Sequence, residues 1–108
     1  MEKFSFDEMY KMQKSLQEKY LDKWGGLYPE KGKDQLLWMI GEIGEVIDII
    51  KKNGGDNICN NTALENQFIE EMVDVLMYYC DVLLCFDISP EKLKQAYIEK
   101  YNKNMNRW

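Results

Sequence analysis

Residues 62–87 read TALENQFIEEMVDVLMYYCDVLLCFD, and the spacing of their apolar side chains decides the fold. Phe68, Ile69, Met72, Val75, Leu76, Tyr79, Leu83 and Phe86 cover most of a helical circumference, as expected of a central element buried on several sides. One narrow polar strip remains, made of Gln67, Glu71, Asp74, Tyr78, Asp81 and Cys85. Thr62 and Glu65 have the spacing of a capping box, so the helix should start at Thr62, and it should reach Asp87.

On either side the punctuation is equally helical. Ser89-Pro90-Glu91 places a capping serine before a proline at the first helical position and an acid in the positively polarised first turn, which predicts a last helix from Pro90 nearly to the end. Upstream, a helix is expected from about Asp34 to Lys52, stopped by Asn53-Gly54-Gly55 and followed by a polar connection through Asn57, Asn60 and Asn61. The first helix opens at Ser5, with Glu8 completing a capping box and Phe4 and Met9 in the staple positions, and it runs to the Trp24-Gly25-Gly26 break. Gly25 to Lys33 should form a loop. No segment shows sustained strand alternation, so residues 1–108 are expected to form one all-α domain, an antiparallel bundle of about four helices completed by dimerisation.

Within this frame the acids stand out. Glu42 with Glu45, and Glu71 with Asp74, are each spaced three apart, so each pair shares a helical face. In the second helix Leu36, Ile40, Ile43, Ile47 and Ile50 form the expected core stripe, while Trp38, Glu42, Glu45 and Ile49 share the other side. An acidic pair on an amphipathic helix is ordinarily solvated surface charge. Here two pairs have apolar company and no lysine on their strips, and four carboxylates brought together call for a cation to relieve their repulsion. Hard oxygen ligands suit magnesium, with manganese as a substitute. Absence of histidine excludes di-iron bundles built on Glu-x-x-His and most catalytic zinc sites. Glu70 lies at the strip's edge, and Asp81, two turns beyond Asp74, reads as a group behind the ligands or a helix-end contact. Trp38 and Tyr78 read either as boundary residues or as ligand platforms.

Composition narrows the partners. A net charge of −5 disfavours a nucleic-acid polymer, yet permits a small phosphate ligand carried by a metal. Three cysteines without Cys-x-x-Cys spacing suggest neither a disulfide framework nor a thiolate site and fit a reducing cytoplasm. Met1-Glu2-Lys3-Phe4 lacks a signal-peptide core, and no apolar run approaches the roughly 20 residues that span a bilayer. A soluble, cytoplasmic protein without a membrane partner is expected. In the last helix Lys100, Asn104 and Arg107 recur at four and three on one face, beside the apolar Leu93, Tyr97, Tyr101 and Met105. Such cations also suit a helix C-terminus electrostatically, and their functional version is phosphate capture.

Three motifs together resemble the MazG-like branch of the all-α nucleoside triphosphate pyrophosphohydrolases, a superfamily that includes dimeric dUTPases and dCTP pyrophosphatases. Gly41-Glu42-Ile43-Gly44-Glu45 resembles the Glu-x-x-Glu segment, Glu70-Glu71-Met72-Val73-Asp74 the Glu-x-x-Asp segment, and Lys100 to Trp108 the closing Lys-x-x-x-Asn-x-x-Arg-aromatic pattern. The resemblance runs from about Leu36 to the C-terminus. It implies that Glu42, Glu45, Glu71 and Asp74 hold magnesium and that a nucleoside triphosphate is cut between its α and β phosphates, releasing pyrophosphate. Glu42 or Glu45 would accept the proton of the attacking water. Lys100, Asn104 and Arg107 would steady the phosphates across a subunit boundary, since relatives are dimers or dimers of dimers. Tyr78 matches a position that faces the nucleoside, and Trp24 falls where relatives place an aromatic on the base. The Asn- and Gly-rich connection at 53–61 and the Ile47-Asp48 pair depart from the family's pattern and leave substrate choice open. Two other classes compete: a dimeric helical interaction module without catalytic metal, and a nucleotide sensor without turnover.

Overall fold

The computed structural model describes residues 3–108. Six α-helices follow one another: α1 (Phe6–Lys19), α2 (Leu21–Trp24), α3 (Gly32–Asn53), α4 (Gly55–Asn60), α5 (Thr62–Cys85) and α6 (Pro90–Met105), with a 3-10 turn at Pro29–Lys31 before α3. No strand occurs among the described residues, and the fold is all-α. None of these helices is long and apolar enough to cross a membrane.

The capping residues act as the sequence suggests at two of the long helices. Ser5 accepts from the Glu8 amide at 3.3 Å, and Ser89 accepts from the Lys92 amide at 3.3 Å with Pro90 at the first helical position. At α5 the cap is one residue earlier than expected. Asn61 Oδ1 accepts from the Leu64 amide at 3.1 Å, so Thr62 is already helical. The C-terminal end also comes early: α5 stops at Cys85, and Asp87 takes a left-handed backbone with φ 53°. The connection 54–61, read as an irregular polar segment, instead contains α4. Asn57 and Asn60 donate to carbonyls four residues back, at 2.7 and 2.8 Å, and Ile58 is buried beneath them. Gly54, with φ 79°, makes the reversal that α3 needs to turn into α4. The expected loop at 25–33 is shorter, because the 3-10 turn and the start of α3 occupy its second half.

α3 and α5 pack along their lengths as an antiparallel hairpin, the beginning of α3 lying against the end of α5. Gly32 permits that approach, since a Cβ there would sit 2.3 Å from the Phe86 ring. α1 covers the C-terminal half of α5, with Phe6 edge-on to Tyr79 at 6.4 Å between ring centroids. α6 touches α1 and makes no close backbone approach to α3 or α5.

The core is small. Val46, Ile49 and Ile58 are buried at the hairpin's turn, and Cys80, Leu83 and Cys85 at the other end. The expected core stripe of α3 is therefore corrected: Leu36, Ile40, Ile43, Ile47 and Ile50 are all exposed, Ile40 by 59% and Ile47 by 49%. The side of α3 facing its partner helix lies one residue back, along Gln35, Met39, Glu42, Val46 and Ile49. α5 is likewise covered on several sides only over its last two turns, and Ile69, Met72 and Leu76 are open before them. A step of one residue turns a helix by about 100°. In an antiparallel pair that step goes to the same side of both helices, so the two exposed stripes form one continuous apolar face.

Candidate metal centre and the cavity beside it

Because the covered side of α3 runs through Glu42, the hairpin brings acids together at its waist. Carboxylate oxygens of Glu42, Glu45 and Glu71 lie within 4.8 Å of one another. Asp74, one turn beyond Glu71, is not part of that cluster. It lines the adjoining cavity, and its charge still reaches both Glu42 and Tyr78.

The electrostatics follow from crowding. Glu71 is pushed from the ordinary 4.5 up to about 7, first by its hydrogen-bonding contact with the Glu45 carboxylate, then by burial and by the charges of Glu45 and Glu42. One of its oxygens, Oε2, is shielded from solvent and has no hydrogen-bond partner. Glu42 is raised by burial and then by the Glu45 charge. Three clustered oxygen donors, one of them shielded and unpartnered, fit a hard divalent cation, whose charge would relieve both strains. In the metal-free chain the folded state holds the Glu71 proton up to about 7 while the unfolded state releases it near 4.5. The stabilisation is full below the lower value and is lost as pH rises through the higher one. Melting temperature measured in chelator should fall between about pH 5 and about pH 8, and Glu71→Gln should flatten the slope. A slope equal in both proteins would remove Glu71 as its source.

Beside the acids opens a cavity of about 370 Å³ between α1, α5 and the start of α3. Trp24, Trp38 and Tyr78, the three aromatics named from the sequence, all line it. Trp38 is 62% exposed and forms an outer wall. Trp24 is placed by the loop after α2: Gly25 and Gly26 have φ 81° and 79°, and Lys31 Nζ donates to the Trp24 and Gly26 carbonyls at 2.8 and 2.7 Å. Burial raises Tyr78, helped by the charges of Glu42, Asp81 and Asp74.

Lys100, Asn104 and Arg107 are elsewhere. They lie on or just beyond α6, none lines the cavity, and the Arg107 guanidinium rests 5.0 Å from the Trp108 ring centroid. Lys100 and Arg107 are exposed, and Asn104 is half-buried with its Oδ1 unpartnered.

The inner wall of the cavity is formed by residues outside those expected from the sequence. Gln13 and Gln17, one turn apart on α1, both face Asp81, and Gln13 is buried. The signal available was two glutamines at i and i+4 interleaved with Met9, Met12 and Leu16. Asp81 itself is buried rather than a helix-end contact, and Glu70 is exposed. Set against known proteins, the chain matches no family model, no curated protein and no solved structure.

Proposed function

We propose that this chain is a magnesium-dependent nucleotide pyrophosphohydrolase that cuts a nucleoside triphosphate between the α and β phosphates, giving a monophosphate and pyrophosphate. What supports the reading most is one juxtaposition: three carboxylates within 4.8 Å of one another beside an aromatic-lined cavity of about 370 Å³. The acids suit a cation that carries phosphate, and the rings suit a nucleoside. The motif resemblance to MazG-like enzymes points the same way. Such an enzyme would work in the cytoplasm, removing unwanted or surplus nucleotides.

In this proposal Glu42, Glu45 and Glu71 hold magnesium or manganese, and Asp74 completes the set from the cavity side. When bound, the ion would neutralise phosphate charge and make water a better nucleophile. Glu42 or Glu45 accepts the proton of that water, a role suited to a carboxylate whose proton affinity is raised, as burial and then the Glu45 charge raise that of Glu42. Trp24, Trp38 and Tyr78 orient the nucleoside and keep water from its faces. Lys100, Asn104 and Arg107 do not reach the cavity of their own chain, so in this proposal they serve the phosphates of a second copy in a homodimer or homotetramer.

The test is a panel of ribo- and deoxyribonucleoside triphosphates with magnesium, assayed for pyrophosphate, with Glu42→Gln as control. Release from at least one nucleotide is expected, reduced about a hundredfold or more in the variant. No release above the control across the panel would defeat the hydrolase. The exposed apolar face of α3 and α5 favours one competing reading, a helical interaction module. Such a module would associate without responding to magnesium, and a nucleotide sensor would respond without releasing pyrophosphate.

A further inference from the structure

Trp24 contributes one wall of the cavity from a segment with little packing of its own. It closes α2, a helix of four residues, and a single turn is too short to hold its shape unaided. Residues 21–28 include no buried side chain, and Trp24 is 42% exposed. The Tyr20 cap of α2 supplies no side-chain hydrogen bond, and the Tyr20 ring, 4.7 Å from that of Trp24, belongs to the same segment. Gly25 and Gly26 follow, and glycine adds freedom rather than stiffness.

Lys31 reaches this segment from a fixed point. Its Nζ donates to the Trp24 carbonyl at 2.8 Å and to the Gly26 carbonyl at 2.7 Å, spanning the glycine turn. Both bonds are charge-assisted, and the ammonium sits at the negative end of α2. Lys31 itself closes the 3-10 turn, which touches both α3 and α5. At the end of α5 the Tyr28 backbone hydrogen-bonds Cys85, which is 2% exposed, and Gly32 lies against the Phe86 ring. A continuous connection thus runs from the buried end of α5 through the 3-10 turn and Lys31 to the Trp24 wall.

We infer that Lys31 is the positioning residue of the cavity: by tying the Trp24 and Gly26 carbonyls to the 3-10 turn, it presets the Trp24 ring for stacking on an aromatic ligand. The inference rests on the nucleotide reading above for the class of that ligand, and it requires no contact between Lys31 and the ligand. Without the tie the wall would populate other positions, and apparent affinity would fall with the fraction that remains competent. The clustered acids are untouched, so the loss should appear in KM and leave kcat nearly unchanged.

The experiment compares Lys31→Met, which keeps the stem and removes the charge, with Lys31→Arg, whose fork can again donate to two carbonyls. Hydrogen exchange read by mass spectrometry reports on the wall without any ligand. Amides of residues 21–28 should exchange about tenfold or more faster in Lys31→Met, with α5 unchanged and most of the protection restored in Lys31→Arg. Calorimetry with the deoxynucleoside monophosphates of all four bases should show about tenfold weaker binding in Lys31→Met for each nucleotide that the parent binds, and recovery in Lys31→Arg. A double-mutant cycle decides the route. In a Trp24→Ala chain, Lys31→Met should lower affinity no further, because the group it positions is gone. Equal exchange over residues 21–28 in parent and Lys31→Met, equal affinity, or equally faster exchange in α5 overturns the inference. So do additive losses in the cycle, which would make Lys31 a direct ligand contact, and an arginine variant that recovers protection without affinity. A parent that binds none of the nucleotides at millimolar concentration removes the nucleotide reading and the inference with it. Binding that depends on Lys31, with no pyrophosphate from any triphosphate, sustains the inference and removes the hydrolase. Pyrophosphate release by Lys31→Met at the parent KM does the reverse.

Discussion

Saturating magnesium is expected to raise the melting temperature of the parent chain by about 10 °C or more, and Glu71→Gln should show none of that rise. A ligand at one hundred times its dissociation constant stabilises by about 2.7 kcal/mol. For a domain near 100 residues each kcal/mol is worth about 4–8 °C. Glu71 is the informative position because it meets both Glu42 and Glu45 and carries the shielded, unpartnered oxygen. Glutamine keeps the size but removes the charge, so two consequences separate from each other. Without metal and above about pH 7, the variant should melt higher than the parent, since three clustered acids have become two. With metal, the parent should overtake it. A magnesium response of equal size in both proteins would show that the ion binds elsewhere, and the proposed chemistry would lose its centre.

Association should give the second large effect. Light scattering is expected to find a dimer or tetramer for the parent, and Ile47→Asp should weaken the assembly by about a hundredfold or more, because an unpaired carboxylate would be forced into an apolar contact. Ile47 is 49% exposed and belongs to the continuous face formed with Ile69, Met72 and Leu76. Contiguous apolar patches on a surface are commonly sites of interaction. If α6 of one copy serves the acids of another, the monomeric variant should lose turnover as well. Arg107→Ala and Glu71→Gln chains, each impaired alone, would then regain about a quarter of the parent rate when mixed equally, since a half of the dimers are mixed and each has one intact site. A monomeric parent, or an Ile47→Asp chain that assembles as before, would end this account of the face.

Much of the architecture was legible because helix ends announce themselves locally. Ser5, Ser89, Pro90 and the Gly25-Gly26 pair act through their own backbone and nearest neighbours, and each does what its chemistry dictates. Asn61 is hidden as the cap because Thr62 and Glu65 have the same spacing as a working capping box, and only the backbone decides which residue is extended. α4 was hidden by residues that usually break helices. Asn57 and Asn60 instead return their amides to the chain four residues back, and a buried Ile58 pins the turn. Periodicity found the isoleucine stripe of α3 but could not say what covers it, because an apolar stripe has the same pattern whether or not its own chain packs over it. Glu42 with Glu45 and Glu71 with Asp74 were recognisable as pairs, and nothing in the spacing separates Asp74 from the three clustered glutamates. The tie between Gln13, Gln17 and Asp81 joins positions more than 60 residues apart, which no local pattern encodes.

The hairpin of α3 and α5 also has a bearing on how the molecule is made. Its two arms are joined by residues 54–61 alone, so the largest interface closes a short loop and the entropy of closure is small. Contacts beside that turn are near in sequence and favour rapid nucleation, so the turn end of the hairpin is expected in the folding nucleus and α6 is expected to dock later. On the ribosome the hairpin would emerge complete while its isoleucines still face water, and sibling chains on the same message would be the nearest apolar surface available.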